Sequence, residues 1–113
     1  MSLSLYDRQG NELLIAENND LPKLIFSGNK NIDGTLLEIN GLNNYNLLLI
    51  DFILRGNWYF SEIIFTKTNS HVVEIPVIGN EFYISTYDNG IKLENPRGYD
   101  LSNVSMISIV GIK

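Results

Sequence analysis

The stretch LLLIDFIL, Leu47 to Leu54, is apolar at every position except Asp51. In an extended strand successive side chains point to opposite faces. This run is therefore apolar on both faces, the pattern of a central strand or of one covered by another layer or subunit. It is far shorter than the roughly 20 residues of a membrane-spanning helix, so no membrane insertion is expected. Asp51, set within it, needs a partner or an exposed end. A structural hydrogen bond outweighs a role in chemistry as its reading.

The rest of the chain has the same grain. Short segments rich in Ile, Val, Tyr, Phe and Thr alternate with Asn, Gly and Asp, the residues of strands and of turns. Strands are expected near 12–16, 23–27, 35–39, 46–55, 58–66, 71–78, 82–87, 91–94 and 105–112. No stretch sustains a 3.6-residue apolar period over helix length. The fold class expected is all-β, an antiparallel β-sandwich of jelly-roll or Greek-key type with about eight short strands. Residues 1–20, polar and Asn-rich, are expected to form an N-terminal arm or peripheral hairpin, and 21–113 the sandwich domain. One domain suits 113 residues.

Turn chemistry adds detail. Asn89-Gly90 suits a type I′ hairpin, because both residues tolerate positive φ. Arg55 to Trp58, RGNW, reads as a second hairpin. Ile39 to Asn46 has room for one helical turn around Leu42 to Tyr45, and Asn95 to Asn103 reads as a crossing loop. Alternation places Val73, Ile75 and Val77 on one face, and Val72, Glu74 and Pro76 on the other. Pro76 cannot donate to a ladder, which suits an edge strand or a bulge. Phe82 and Ile84 oppose Tyr83, Ser85 and Tyr87. Ile107 and Ile109 oppose Met106 and Val110, so the C-terminal strand is apolar on both faces and belongs inside a sheet. Phe60, Phe65 and Phe82 are expected in the core.

Charge and composition narrow the function. The net charge is −5 and the eight Lys and Arg are dispersed along the chain, which disfavours nucleic acid as a partner. With no cysteine and one histidine, His71, a transition-metal site would need carboxylates for nearly all its ligands. His71 reads as a surface residue at a strand end. No nucleophile elbow and no phosphate-cradling glycine loop is present. Asp51, Glu62, Glu74, Glu81 and Glu94 are the carboxylates open to glycosidase chemistry, which needs two acids flanking a cleft. They fall on different strands with no pairing visible. The oxygen-rich stretches 31–33 and 88–90 lack EF-hand spacing and read as turns. No cofactor, no metal site and no catalytic residue is expected. The aromatics Trp58 and Tyr87 are the candidate ligand-binding residues, since exposed rings stack on sugars or partner side chains; core packing is the competing reading.

Residues 34–113 carry a resemblance. The order GTLLEINGLNNYNLLLIDFIL, an aromatic hairpin, EIPVI, FYISTYDNGIKLE and the terminal YDLSNVSMISIVGIK resembles small β-domains of tail-fibre, baseplate and other minor structural proteins of phages infecting Gram-positive bacteria. The closing strand of those domains is matched by Ile107, Val110, Gly111, Ile112 and Lys113. The resemblance implies a β-sandwich tied to phage tails and to host-surface recognition, with trimers common. It brings no catalytic residues. The chain is thus expected to be a non-enzymatic phage-encoded binding or structural protein, tail-associated or related to a receptor-binding domain. Its partner would be a cell-surface saccharide or a virion protein, and its location the host cytoplasm on synthesis and then the virion tail. The alternatives are a small cell-wall glycan hydrolase and an early phage protein that binds a host protein.

Overall fold

The structure, a computed structural model, describes residues 3–6, 8–9, 12–16 and 21–113. Two strands, β1 (Leu3–Tyr6) and β2 (Glu12–Ala16), pair antiparallel in a two-stranded sheet of their own. The remainder of the 1–20 arm (residues 1–2, 7, 10–11 and 17–20) lies outside the described residues. Eight further strands follow: β3 (Lys23–Asn31), β4 (Leu36–Glu38), β5 (Leu47–Leu54), β6 (Trp58–Phe65), β7 (Ser70–Glu74), β8 (Glu81–Tyr87), β9 (Gly90–Glu94) and β10 (Val104–Ile112). The first sheet has the order β3-β10-β5-β6 and the second β4-β9-β8-β7, with every pairing antiparallel. This is the expected β-sandwich. Early strands lie beside late ones, β3 against β10 and β4 against β9, which is the Greek-key character of the fold.

Strand β5 shows why the sequence folds this way. Leu48, Ile50, Phe52 and Leu54 are buried in the core, while Leu47, Leu49, Asp51 and Ile53 are half-buried on the outer face. It sits between β10 and β6, as its doubly apolar pattern requires. Each inward side chain contributes roughly 1.5–3 kcal/mol of burial. Phe52 stacks on Phe60 with ring centroids 5.1 Å apart and meets Phe82 of the opposite sheet edge-on at 5.3 Å. That trio ties the two sheets together.

Four segments cross between the sheets: 32–35, 39–46, 66–69 and 95–103. The second contains the expected helical turn, a 3-10 turn at Leu42–Asn44 whose Leu42 is buried. The fourth is clasped by Asn95, whose side-chain amide donates to the Tyr99 carbonyl at 2.6 Å and accepts from the Tyr99 N–H at 3.1 Å.

Four expectations are corrected. Phe65 is 63% exposed, because it shares the outer face of β6 with Tyr59, Ser61 and Ile63. Val77 is exposed, because the strand ends at Glu74 and the chain enters a γ-turn, with the Ile78 N–H donating to the Pro76 carbonyl at 2.9 Å and Val77 at φ 76°. In β10 the pairing with β5 skips Ile107, a bulge that turns both Met106 and Ile109 inward and Val110 outward. Asn89-Gly90 is not a type I′ turn. The ladder pairs Tyr87 with Gly90, and none of residues 88–90 has positive φ. Gly90 answers another need: a Cβ there would fall 2.1 Å from the Leu37 carbonyl oxygen. The type I′ pattern occurs instead at Arg55 (φ 55°) and Gly56 (φ 77°), where the Asn57 N–H donates to the Leu54 carbonyl.

Candidate binding surfaces

One end of the sandwich gathers segments 32–35, 55–57, 75–80 and 95–103. The Gly34 N–H donates to the Leu93 carbonyl at 2.9 Å, and the Arg55 N–H to that of Asn103 at 2.8 Å. Between the first and last of these segments lies an open cleft of about 330 Å³, lined by Asn31, Ile32, Asn95, Tyr99, Asp100, Leu101 and Ser102. A shallower depression of about 590 Å³ continues from it past Asp33 and Glu94, sharing Ile32 and Asn95. The apolar part of the cleft's lining comes from Ile32 and Leu101, and the polar part from Asn31, Asn95, Asp100 and Ser102.

The rim is held by a local device used twice. Asp33 accepts the Thr35 N–H at 3.0 Å and the Thr35 hydroxyl at 2.7 Å. Asp100 accepts the Ser102 N–H at 3.2 Å and the Ser102 hydroxyl at 2.8 Å. Each is an Asx turn written as Asp-x-Ser/Thr. Lys30 adds an ion pair to Asp33 at 2.9 Å and donates to the Thr35 hydroxyl. Lys30 first, then Thr35, holds the Asp33 carboxyl well below the usual carboxylate range. The hydroxyl and N–H of Ser102 lower Asp100 from its ordinary value. Nearby, Tyr99 and then the Glu81 carboxylate, 3.2 Å away, raise Arg97 above its ordinary value.

The two aromatics singled out by sequence are not brought together. Trp58 is exposed at this end, opposite Leu54 in the ladder, whereas exposed Tyr87 precedes the turn at the other end and lies under the Lys92 ammonium, 5.1 Å from the ring centroid. The carboxylates are also dispersed. Asp51 accepts the Ser61 and Ser108 hydroxyls at 2.5 and 3.0 Å on the outer face of the first sheet. Glu62 meets His71 at 3.2 Å across the gap between β6 and β7, so His71 joins the two sheets. Glu94 accepts the Ser85 hydroxyl at 3.0 Å, and Glu74 faces Glu81 in the β7–β8 ladder. Among the described residues, no three His, Cys, Asp or Glu side chains converge as metal ligands. The stretch 31–33 borders the cleft, while 88–90 lies at the opposite end. No described helix is long and apolar enough to cross a membrane.

Sequence reasoning did not assemble the cleft from Asn31, Asp33, Asn95, Tyr99, Asp100 and Ser102. The signal was the paired Asp-x-Ser/Thr turns, 67 residues apart, whose meeting depends on β3 lying beside β10.

A second surface is apolar. On the outer face of the first sheet, Leu24, Tyr59, Ile63 and Phe65 are exposed, and Leu47, Leu49, Ile53, Val110 and Ile112 are half-buried among them. The row Ser27, Ser108, Asp51 and Ser61 crosses this face as a polar stripe. An exposed apolar face of this kind is a candidate interaction surface.

These surfaces belong to an antiparallel β-sandwich with a polar cleft at one end and one apolar outer face. Comparison of the chain with models of protein families, with curated proteins and with solved structures finds no match.

Proposed function

We propose that the chain is a non-enzymatic phage-encoded binding module, tail-associated or built like a receptor-binding domain, that takes a cell-surface saccharide in the cleft at the 32–35 and 95–103 end. The observation that carries this reading is the cleft itself, whose lining combines amides, a hydroxyl and a carboxylate with the apolar Ile32 and Leu101. Sugars present that same mixture of hydroxyls and C–H faces. The other ionisable groups support it, since Glu62, Glu81, Glu94 and Asp51 each hold a structural partner.

The test is calorimetric titration of the full chain with purified cell-wall glycan from Gram-positive bacteria. Asn31→Ala and Asp100→Ala each remove a hydrogen-bonding group from the rim and should weaken binding about tenfold, the effect of roughly 1.4 kcal/mol. Absence of binding by the unaltered chain, or undiminished binding by both variants, defeats the reading. Release of glycan fragments that stops on Glu62→Gln, Glu74→Gln or Glu81→Gln would establish the hydrolase instead.

A second reading, an early protein that captures a host protein in the cytoplasm, is favoured by the apolar outer face. Detection of the chain in purified virions decides against it.

A further inference from the structure

The four edges of the two four-stranded sheets are treated unequally. An edge strand offers unpaired N–H and C=O groups, and proteins blunt such edges with shortness, bulges, lysine or proline. Three edges follow this rule. Strand β4 has three residues. Strand β3 carries Lys23 and Lys30 and is bulged twice against β10. Strand β7 has five residues and is followed by the Pro76 turn. The fourth edge, β6, has none of these devices. It is eight residues long, keeps unbroken register with β5, and contains no Lys, Arg or Pro. Its one charged side chain, Glu62, is paired with His71. Among the described residues nothing pairs with its outer side.

We infer that β6 is a self-association edge: a second copy of this chain pairs its own β6 antiparallel to it about a two-fold axis, joining two four-stranded sheets into one of eight strands. The side-chain pattern selects the register. Outer-face residues must meet outer-face residues, so the axis passes through a residue and not between two. An axis at Glu62 would set two like charges directly opposite, which is destabilising. An axis at Ile63 pairs only residues 61–65 within the strand. An axis at Ser61 pairs 58–64, sets Tyr59 against Ile63 of the second copy, an aromatic and β-branched pair, and sets Glu62 against Phe60. The two Asp51 carboxylates then stand three strand spacings apart, roughly 14 Å, beyond the screening length of about 8–10 Å.

The exposed area is of the needed size. Trp58, Tyr59, Ile63 and Phe65 are 56, 71, 58 and 63% exposed. An aromatic side chain offers roughly 150–250 Å², so these four from each copy present on the order of 800–1,000 Å², and the backbone ladder adds to it. Pairing covers part of this area, which puts the dimer at the small, readily dissociating end of specific interfaces, near roughly 1,000 Å².

The experiment is light scattering and sedimentation on the full chain, with two variants. The unaltered chain should be a dimer that dissociates on dilution. Ile63→Lys places a charge on the edge and should abolish the dimer while leaving the circular dichroism spectrum unchanged. Ser61→Cys reads the register. The chain has no other cysteine, and a residue on the axis faces its own copy at the roughly 4.5–5.5 Å Cα separation of an antiparallel pair, within disulfide reach. Mild oxidation should therefore crosslink Ser61→Cys fully and leave Ser27→Cys, on the opposite edge strand, uncrosslinked. A monomer at every concentration overturns the inference. So does the three-fold assembly implied by the phage-domain resemblance, or a dimer in which Ser61→Cys fails to crosslink. If Ile63→Lys does not fold, the crosslinking pair alone decides.

Discussion

Gly111 lies flat against the ring of Tyr45. A Cβ at position 111 would sit 2.6 Å from the ring's Cδ1 and 2.7 Å from its Cγ, too close for any real contact. Tyr45 is buried over the inner side of β10 and closes the core beside Leu48. The Gly111→Ala variant must push this ring outward, an overpacking change that costs roughly 1–3 kcal/mol. A thermal melt should show a midpoint lowered by at least about 4 °C; an unchanged midpoint would mean that Tyr45 yields freely.

Phenylalanine truncation should separate the inner and outer faces of the first sheet. Phe52 is fully buried between Phe60 and Phe82, so Phe52→Ala should cost about 3–5 kcal/mol in a urea titration. Phe65 lies on the outer face, and Phe65→Ala should change stability by no more than about 0.5 kcal/mol when measured on the monomer. Equal losses at the two positions would contradict the facing of β6.

Val77 holds a left-handed backbone that β-branched residues avoid. Such strain costs of order 1–3 kcal/mol, more than the roughly 0.5–1 kcal/mol of backbone entropy that glycine loses on folding. The strain term wins, so Val77→Gly should raise stability, by up to about 1 kcal/mol. A lower urea midpoint in the variant would count against a strained turn at Pro76 to Ile78.

Acid should weaken the fold through Asp33 and Asp100. Both carboxyls are held below their ordinary value, Asp33 chiefly by Lys30 and Asp100 by Ser102. Their folded values lie under the unfolded value of about 3.9. The stabilisation they provide is therefore complete above that pH and fades as pH drops below about 4 toward the folded values. Both groups are exposed, so the effect is small and shrinks in salt. Urea midpoints at pH 7 and pH 3 should differ less in an Asp33→Asn, Asp100→Asn double variant than in the unaltered chain.

The parts legible in sequence are those set by a local pattern. The double-sided apolarity of Leu47 to Leu54 places β5 between two neighbours, and Asp51 within it has the structural hydroxyl partners expected of it. The crossing at Asn95 to Asn103 and the turn at Leu42 follow from their turn residues. What escaped depends on distant backbone. The bulge at Ile107 reverses the facing of β10, and a period-two pattern has no means of marking one inserted residue. Gly90 looks like a turn glycine until Leu37 is seen to press on it. The cleft needs residues 31–35 and 95–102 side by side, which only the pairing of β3 with β10 and of β4 with β9 achieves.

The placement of β10 between β3 and β5 bears on how the protein is made. Translation proceeds from the amino end, so the strand that joins β3 to β5 is the last of the sandwich to leave the ribosome. Until β10 has emerged, β3 has no ladder partner and β5 lacks one of its two neighbours. A nascent chain in that state leaves Leu48, Ile50 and Phe52 without their cover from β10. The sandwich therefore closes only once β10 is available, and that strand joins its earliest strands to its latest.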